Sequence, residues 1–147
     1  MNLKSQQAKK LLRLKQLRAD AAKARAAKAA MLLNIARVQE QQSRIHLSET
    51  RLNADERRKE RLQAIFDSPS GHGSLQSLAV SAWLKTDEEI ATATQNVSRA
   101  LETRMAGERG LSLAQQELAR TMRATQKAEE LLSLETRLER EAGDRQN

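Results

Sequence analysis

Cysteine and tyrosine are both absent from the 147 residues, and the chain holds one Phe, one Trp and one Pro. Without Cys there is no disulfide scaffold and no thiolate site for metal or redox chemistry. With aromatics at 1% of the residues, the large apolar areas that normally organise a compact core of this length are missing. A closed catalytic pocket is therefore not expected, and the chain reads as non-enzymatic and cofactor-free. No run approaches the roughly 20 apolar residues of a membrane span. The opening MNLKSQQAKK carries no hydrophobic segment behind its charges, so no secretory signal is expected and a cytoplasmic location follows.

What is present is helical material. Apolar residues make up 39% of the chain, chiefly Ala and Leu, and charged residues 31%. This Ala, Leu, Gln, Glu, Arg and Lys mixture is typical of long helices and coiled coils. The net charge of +7 is unevenly placed. Residues 1–28 hold nine of the 26 basic side chains against Asp20 alone, a net of +8, and the other 119 residues sum to −1. An electrostatic partner would meet that basic end.

One strong break interrupts the helical composition, at Asp67-Ser68-Pro69-Ser70-Gly71-His72-Gly73-Ser74. The expected organisation is a first long helix over 1–66, a bend over 67–86 and a second long helix over 87–144, with a tail at 145–147. Thr86-Asp87-Glu88-Glu89 has the makings of a helix start, with Thr86 or Asp87 as cap, so 74–85 is read as a short helix of its own. In the first arm Leu17, Ala24, Met31, Val38, Ile45 and Leu52 recur every seven residues. Their companion position reads Leu14, Ala21, Lys28, Ile35, Gln42 and Glu49. Leu17, Met31, Ile35, Val38, Ile45 and Leu52 are thus the expected coiled-coil seam. The second arm supplies Val97, Leu101, Leu111, Leu118 and Met122, at gaps of four, ten, seven and four that a 3–4 repeat accommodates, with Gly107 and Gly110 expected to bend or fray it. Two matched arms joined by one break predict an all-α fold, a long two-helix antiparallel coiled-coil hairpin with a short helix or loop at the bend.

The basic stretch Lys4, Lys9, Lys10, Arg13, Lys15 and Arg18 admits several readings. Its cations suit phosphate contact, as in a basic region leading into heptads, but no Asn lies between Asn2 and Asn34 to read base edges. They suit an acidic protein surface equally, or a solvated helix face without a partner. A membrane surface fits less well, because the interleaved leucines come without Trp or Phe. His46 and His72 lie 26 residues apart with no second ligand at metal spacing, so no metal site is expected. Phe66, Trp83 and Leu84 flank the break, either as a cap in which Trp83 packs on Phe66 or as anchors for a partner.

The basic, Leu-rich start MNLKSQQAKKLLRLKQLR, the central break and the lone Trp of SLAVSAWLKTDEEI resemble the FliJ/YscO/HrpO-like family of type III secretion and flagellar export. The resemblance covers the whole chain and rests on layout. It implies a non-enzymatic stalk or adaptor whose terminal end enters a hexameric secretion ATPase. Its bend end would face an export gate component, and secretion chaperones are further partners. By the same resemblance Lys4, Lys9, Lys10, Arg13, Lys15 and Arg18 belong to the ATPase end, and Phe66, Trp83 and Leu84 to the gate end. The alternative from the residues alone is a basic coiled coil that binds nucleic acid, or a structural scaffold.

Overall fold

Good helix formers dominate both arms, and neither contains a proline beyond Pro69, so backbone hydrogen bonding runs unbroken on each side. A computed structural model describes residues 3–67 and 72–146, in two helices, α1 (Leu3–Asp67) and α2 (His72–Gln146). Residues 68–71 of the expected break lie outside the described residues, as does Asn147 of the tail. The two long helices pack against each other as a helical hairpin.

The chain divides into two units, residues 1–33 with 107–147 and residues 34–106. In the terminal unit, Thr125 Oγ1 donates to the Lys15 carbonyl at 3.2 Å and Arg25 pairs with Glu117 at 2.5 Å. As α1 numbering rises α2 numbering falls, which makes the pair antiparallel. In the bend unit, Glu40 meets Arg104, Arg57 meets Glu89 and Arg58 meets Asp87, again antiparallel. The Arg25–Glu117 and Arg57–Glu89 pairs are solvent-exposed and are worth at most about 1 kcal/mol each. Apolar packing must supply the rest.

That packing uses a stripe other than the one the periodicity suggested. On α1 the buried positions include Ser5, Ala8, Ala22, Ala26, Leu33 and Ala36, at gaps of three, four, seven and fourteen residues that keep them on one face, and they continue to Glu40 and Ala54. Leu17, Met31, Ile35, Val38, Ile45 and Leu52 are all exposed, Ile45 by 51% and Leu52 by 61%. They occupy the opposite side of α1. Each of Leu17, Met31, Val38, Ile45 and Leu52 lies five residues beyond an inner position, which at about 100° per residue is about 140° around the helix.

The choice of face follows from volume. The inner face of α2 presents large half-buried residues (Trp83, Ile90, Val97, Leu111, Leu118 and Leu132) alongside Ala79, Thr86, Ala93 and Ala128, which are buried. Large α2 side chains need small α1 residues opposite if the helices are to approach and fill the space between them. The Ala stripe of α1 meets that need, whereas its Leu/Met/Val/Ile stripe would hold the helices apart. Val97, Leu101, Leu111 and Leu118 are half-buried, and Met122 is exposed rather than part of the seam.

Two local expectations also change. α2 runs without interruption from His72, so 74–85 is its opening stretch rather than a separate short helix. Thr86 does not cap: its Oγ1 donates to the Ala82 carbonyl at 2.8 Å and the residue is buried. Bonding back one turn satisfies the hydroxyl inside a helix and lets Thr face the seam. Nor does α2 break at its glycines. Gly107 faces Leu33, and a Cβ placed on Gly107 would lie 3.4 Å from Leu33 Cδ1. Gly107 thus lies against Leu33, which at 2% exposure is the one large aliphatic among the buried apolar residues of the described chain.

Truncating Leu33→Ala is expected to cost about 3 kcal/mol in urea unfolding, because Gly107 has no side chain to fill the void. Gly110→Ala, with nothing within 4 Å of the new methyl, is expected to add about 1 kcal/mol. A Leu33→Ala loss under about 1 kcal/mol would show that the seam is placed incorrectly.

Candidate interaction surfaces

The unit composed of residues 1–33 and 107–147 carries sixteen basic against nine acidic side chains, and residues 34–106 carry ten of each. The whole net charge therefore belongs to the terminal unit. Lys4, Lys9, Lys10, Arg13 and Arg18 are exposed, and Lys15 is half-buried at an inner position where its carbonyl accepts from Thr125. None of the six makes an ion pair among the described residues. They fall at different heptad positions, so the charge wraps several sides of α1 instead of forming one stripe. Such a surface supplies long-range attraction to an acidic partner without a fixed docking geometry.

In the bend unit, the residues that flank the break are not brought together as a cap. Phe66 is 79% exposed, as α1 turns it away from the seam. Trp83 takes a seam position on α2 and is half-buried. Its Nε1 is buried without a hydrogen-bond partner among the described residues, and so is Arg61 Nη1. Leu84 lies exposed, as do Leu78 and Val80. The apolar material near the bend is thus divided between an indole committed to the seam and side chains open to a partner.

One charged group lies where the inner stripe called for an apolar residue. Glu40, seven residues beyond Leu33, is 7% exposed. Its Oε1 accepts from Arg44 Nη2 at 2.9 Å and Nε at 3.2 Å, and its Oε2 accepts from Arg104 Nε across the seam. The hydrogen bonds from Arg44 hold the Glu40 carboxyl below the usual glutamate range, against the opposing effect of burial, and the bond and charge of Arg104 lower it further. A single charged layer among Ala layers disfavours any sliding of the helices, since a shifted register would strand the charge. The sequence carried this signal in Ala26-Leu33-Glu40-Leu47-Ala54, a seven-residue series with one acidic member.

His46 is exposed, and among the described residues no group of His, Asp or Glu could hold a metal ion. No helix among the described residues is long and apolar enough to cross a membrane. Comparisons with family models, with curated proteins and with solved structures each find no match. The resemblance to the export-apparatus family therefore stands on the layout of residues alone.

The lowered Glu40 carboxyl makes hairpin stability depend on pH. A carboxylate whose pKa is lower folded than unfolded contributes stability above its unfolded value of about 4.3, and that stability is lost as pH falls through the folded value. Thermal midpoints of the wild type and Glu40→Gln are expected to differ most at neutral pH, the wild type being higher, and to converge in acid. A gap that stays constant from neutral pH into acid would exclude Glu40 as the titrating contact.

Proposed function

We propose that this chain is a non-enzymatic stalk or adaptor of a bacterial type III secretion export apparatus, working in the cytoplasm. Its terminal unit binds the hexameric ATPase, and its bend unit meets the export gate and secretion chaperones. The observation that carries the reading is the chemical difference between the two units. The terminal one holds all of the net charge, and its Lys4, Lys9, Lys10, Arg13 and Arg18 are exposed without ion-pair partners among the described residues. The other is electrically neutral and exposes Phe66, Leu78, Val80 and Leu84. The FliJ/YscO/HrpO-like layout adds support, because it assigns an ATPase to the first end and a gate to the second.

In physical terms the two ends suit different tasks. Cations distributed around α1 attract an acidic channel lining through many weak contacts, none of which fixes a rotational position. Exposed aliphatic and aromatic side chains offer the area that a lasting protein contact needs.

Capture from the source cell with the full chain as bait is expected to retain a secretion ATPase and raise its hydrolysis rate. Reversing Lys9, Lys10 and Arg13 to Glu is expected to weaken that binding by at least about tenfold, several exposed pairs of up to about 1 kcal/mol being exchanged for repulsion. Circular dichroism should stay helical. If binding and stimulation survive the reversal, the basic end is a solvated face. If nucleic acid is retained in place of an ATPase, with affinity falling log-linearly with salt, the nucleic-acid reading takes over.

A further inference from the structure

The two helices of the bend unit have unlike outer faces. Five residues on from Trp83, Ile90 and Val97, α2 presents Glu88, Gln95 and Glu102, all exposed and polar, as expected of a helix side facing water. Its exposed apolar residues Leu78, Val80, Leu84 and Met105 lie off that line, and only Leu84 and Met105, beside it, share a heptad position. The same geometric position on α1 presents Val38, Ile45, Leu52, Lys59 and Phe66, all exposed and apolar but for Lys59. Ile35 lies next to them and is exposed too. The hairpin has already used the opposite face of α1 to bind α2. This second face is surplus to the fold.

From these observations we infer that the outer face of α1 is a homodimer interface, in which α1 packs antiparallel against α1 of a second copy. Three features of the face select that occupant. Its period is seven, the repeat a helix shows when it supercoils with another helix, whereas a lone helix on a flat surface follows 3.6 per turn. The face is its own complement, since a stripe of aliphatic side chains at heptad spacing is what the same stripe on a second copy requires for an isologous contact. It is also long enough. The α1 stretch over 34–67 measures about 50 Å at 1.5 Å per residue and about 10–12 Å across, so two copies bury on the order of 1,000–1,200 Å², the threshold for a specific interface.

Charge selects the orientation. Residues 1–28 carry a net of +8, and residues 49–67 carry five acidic and five basic side chains. Because α1 is continuous from Leu3 to Asp67, parallel pairing would run two +8 segments side by side. Antiparallel pairing sets each against a neutral neighbour or solvent. The contact leaves Lys9, Lys10 and Arg13 outside the paired stretch, so it is independent of what the terminal unit binds, and it shares with the bend unit's partner surface only Phe66, at the end of the face.

Sedimentation equilibrium on the full chain reads the result directly. The mass is expected to rise with concentration toward twice the 16.5 kDa of one chain. The double variant Ile45→Lys with Leu52→Lys is expected to stay at 16.5 kDa with an unchanged helical spectrum, as both side chains lie off the hairpin seam. If it loses helicity, Ile45→Gln with Leu52→Gln replaces it with uncharged groups. Gln95→Lys with Glu102→Lys, on the polar face of α2, should dimerise as the wild type does. A wild type at 16.5 kDa at every concentration overturns the interface, and so does a dimer indifferent to both outer-face double variants. Since the chain has no cysteine, single Cys at Val38, Ile45 or Leu52 reports orientation. At most one of the three should form a disulfide-linked dimer, and self-linking by all three overturns the antiparallel arrangement.

Discussion

The hairpin depends on volume matching across its seam. α2 contributes Trp83, Ile90, Val97, Leu111, Leu118 and Leu132 on its inner face, and α1 answers mainly with Ala and Ser. Leu33 is the one large α1 aliphatic that is fully buried, and the residue it faces on α2 is Gly107. Large side chains on one helix against small ones on the other bring the backbones close and leave little empty space, which is where dispersion contacts accumulate. The placement of everything else follows from this. Had α1 turned its larger aliphatics inward, the seam would hold large residues on both sides and the helices would separate.

Because small residues bury little apolar area, the seam says little about register by itself; alanine layers resemble one another and a shift of one heptad costs little. The Glu40 layer supplies what they lack. A carboxylate held by Arg44 from its own helix and by Arg104 from the opposite one has its partners in one alignment only. Gly107 lies against Leu33 in the same register. These features explain why a glycine and a buried glutamate, each unfavourable locally, occur in a helix pair of such uniform composition.

The residues left over from the seam are those available for function. The terminal unit keeps most of its α1 cations outside, at several positions around the helix, and the bend unit keeps apolar side chains outside on both helices. The outer α1 face is the more unusual of the two exposed surfaces, since it is ordered by period as well as by composition. A helix that is apolar on two opposite sides has little net amphipathicity and belongs between two partners. α2 is one of them.

Much of this was legible without a structure, including two long helices, the break between them, the confinement of charge to the first 28 residues and the presence of a seven-residue stripe in α1. These depend on local propensity, on Pro and Gly, and on counting, all of which act along a single chain. Continuity of α2 through Thr86 and Gly107 was not legible, because the Thr86 hydroxyl has both a capping and a back-bonding option, and the use of Gly107 appears only against Leu33. Nor was the inward face of α1. The series Leu17, Met31, Val38, Ile45 and Leu52 is the more hydrophobic of its two stripes, yet the series through Ala26, Leu33 and Ala54 is the one buried. Periodicity defines the faces a helix has; which face meets which neighbour is decided by the volumes on the facing helix, and those become relevant only when the two are packed together.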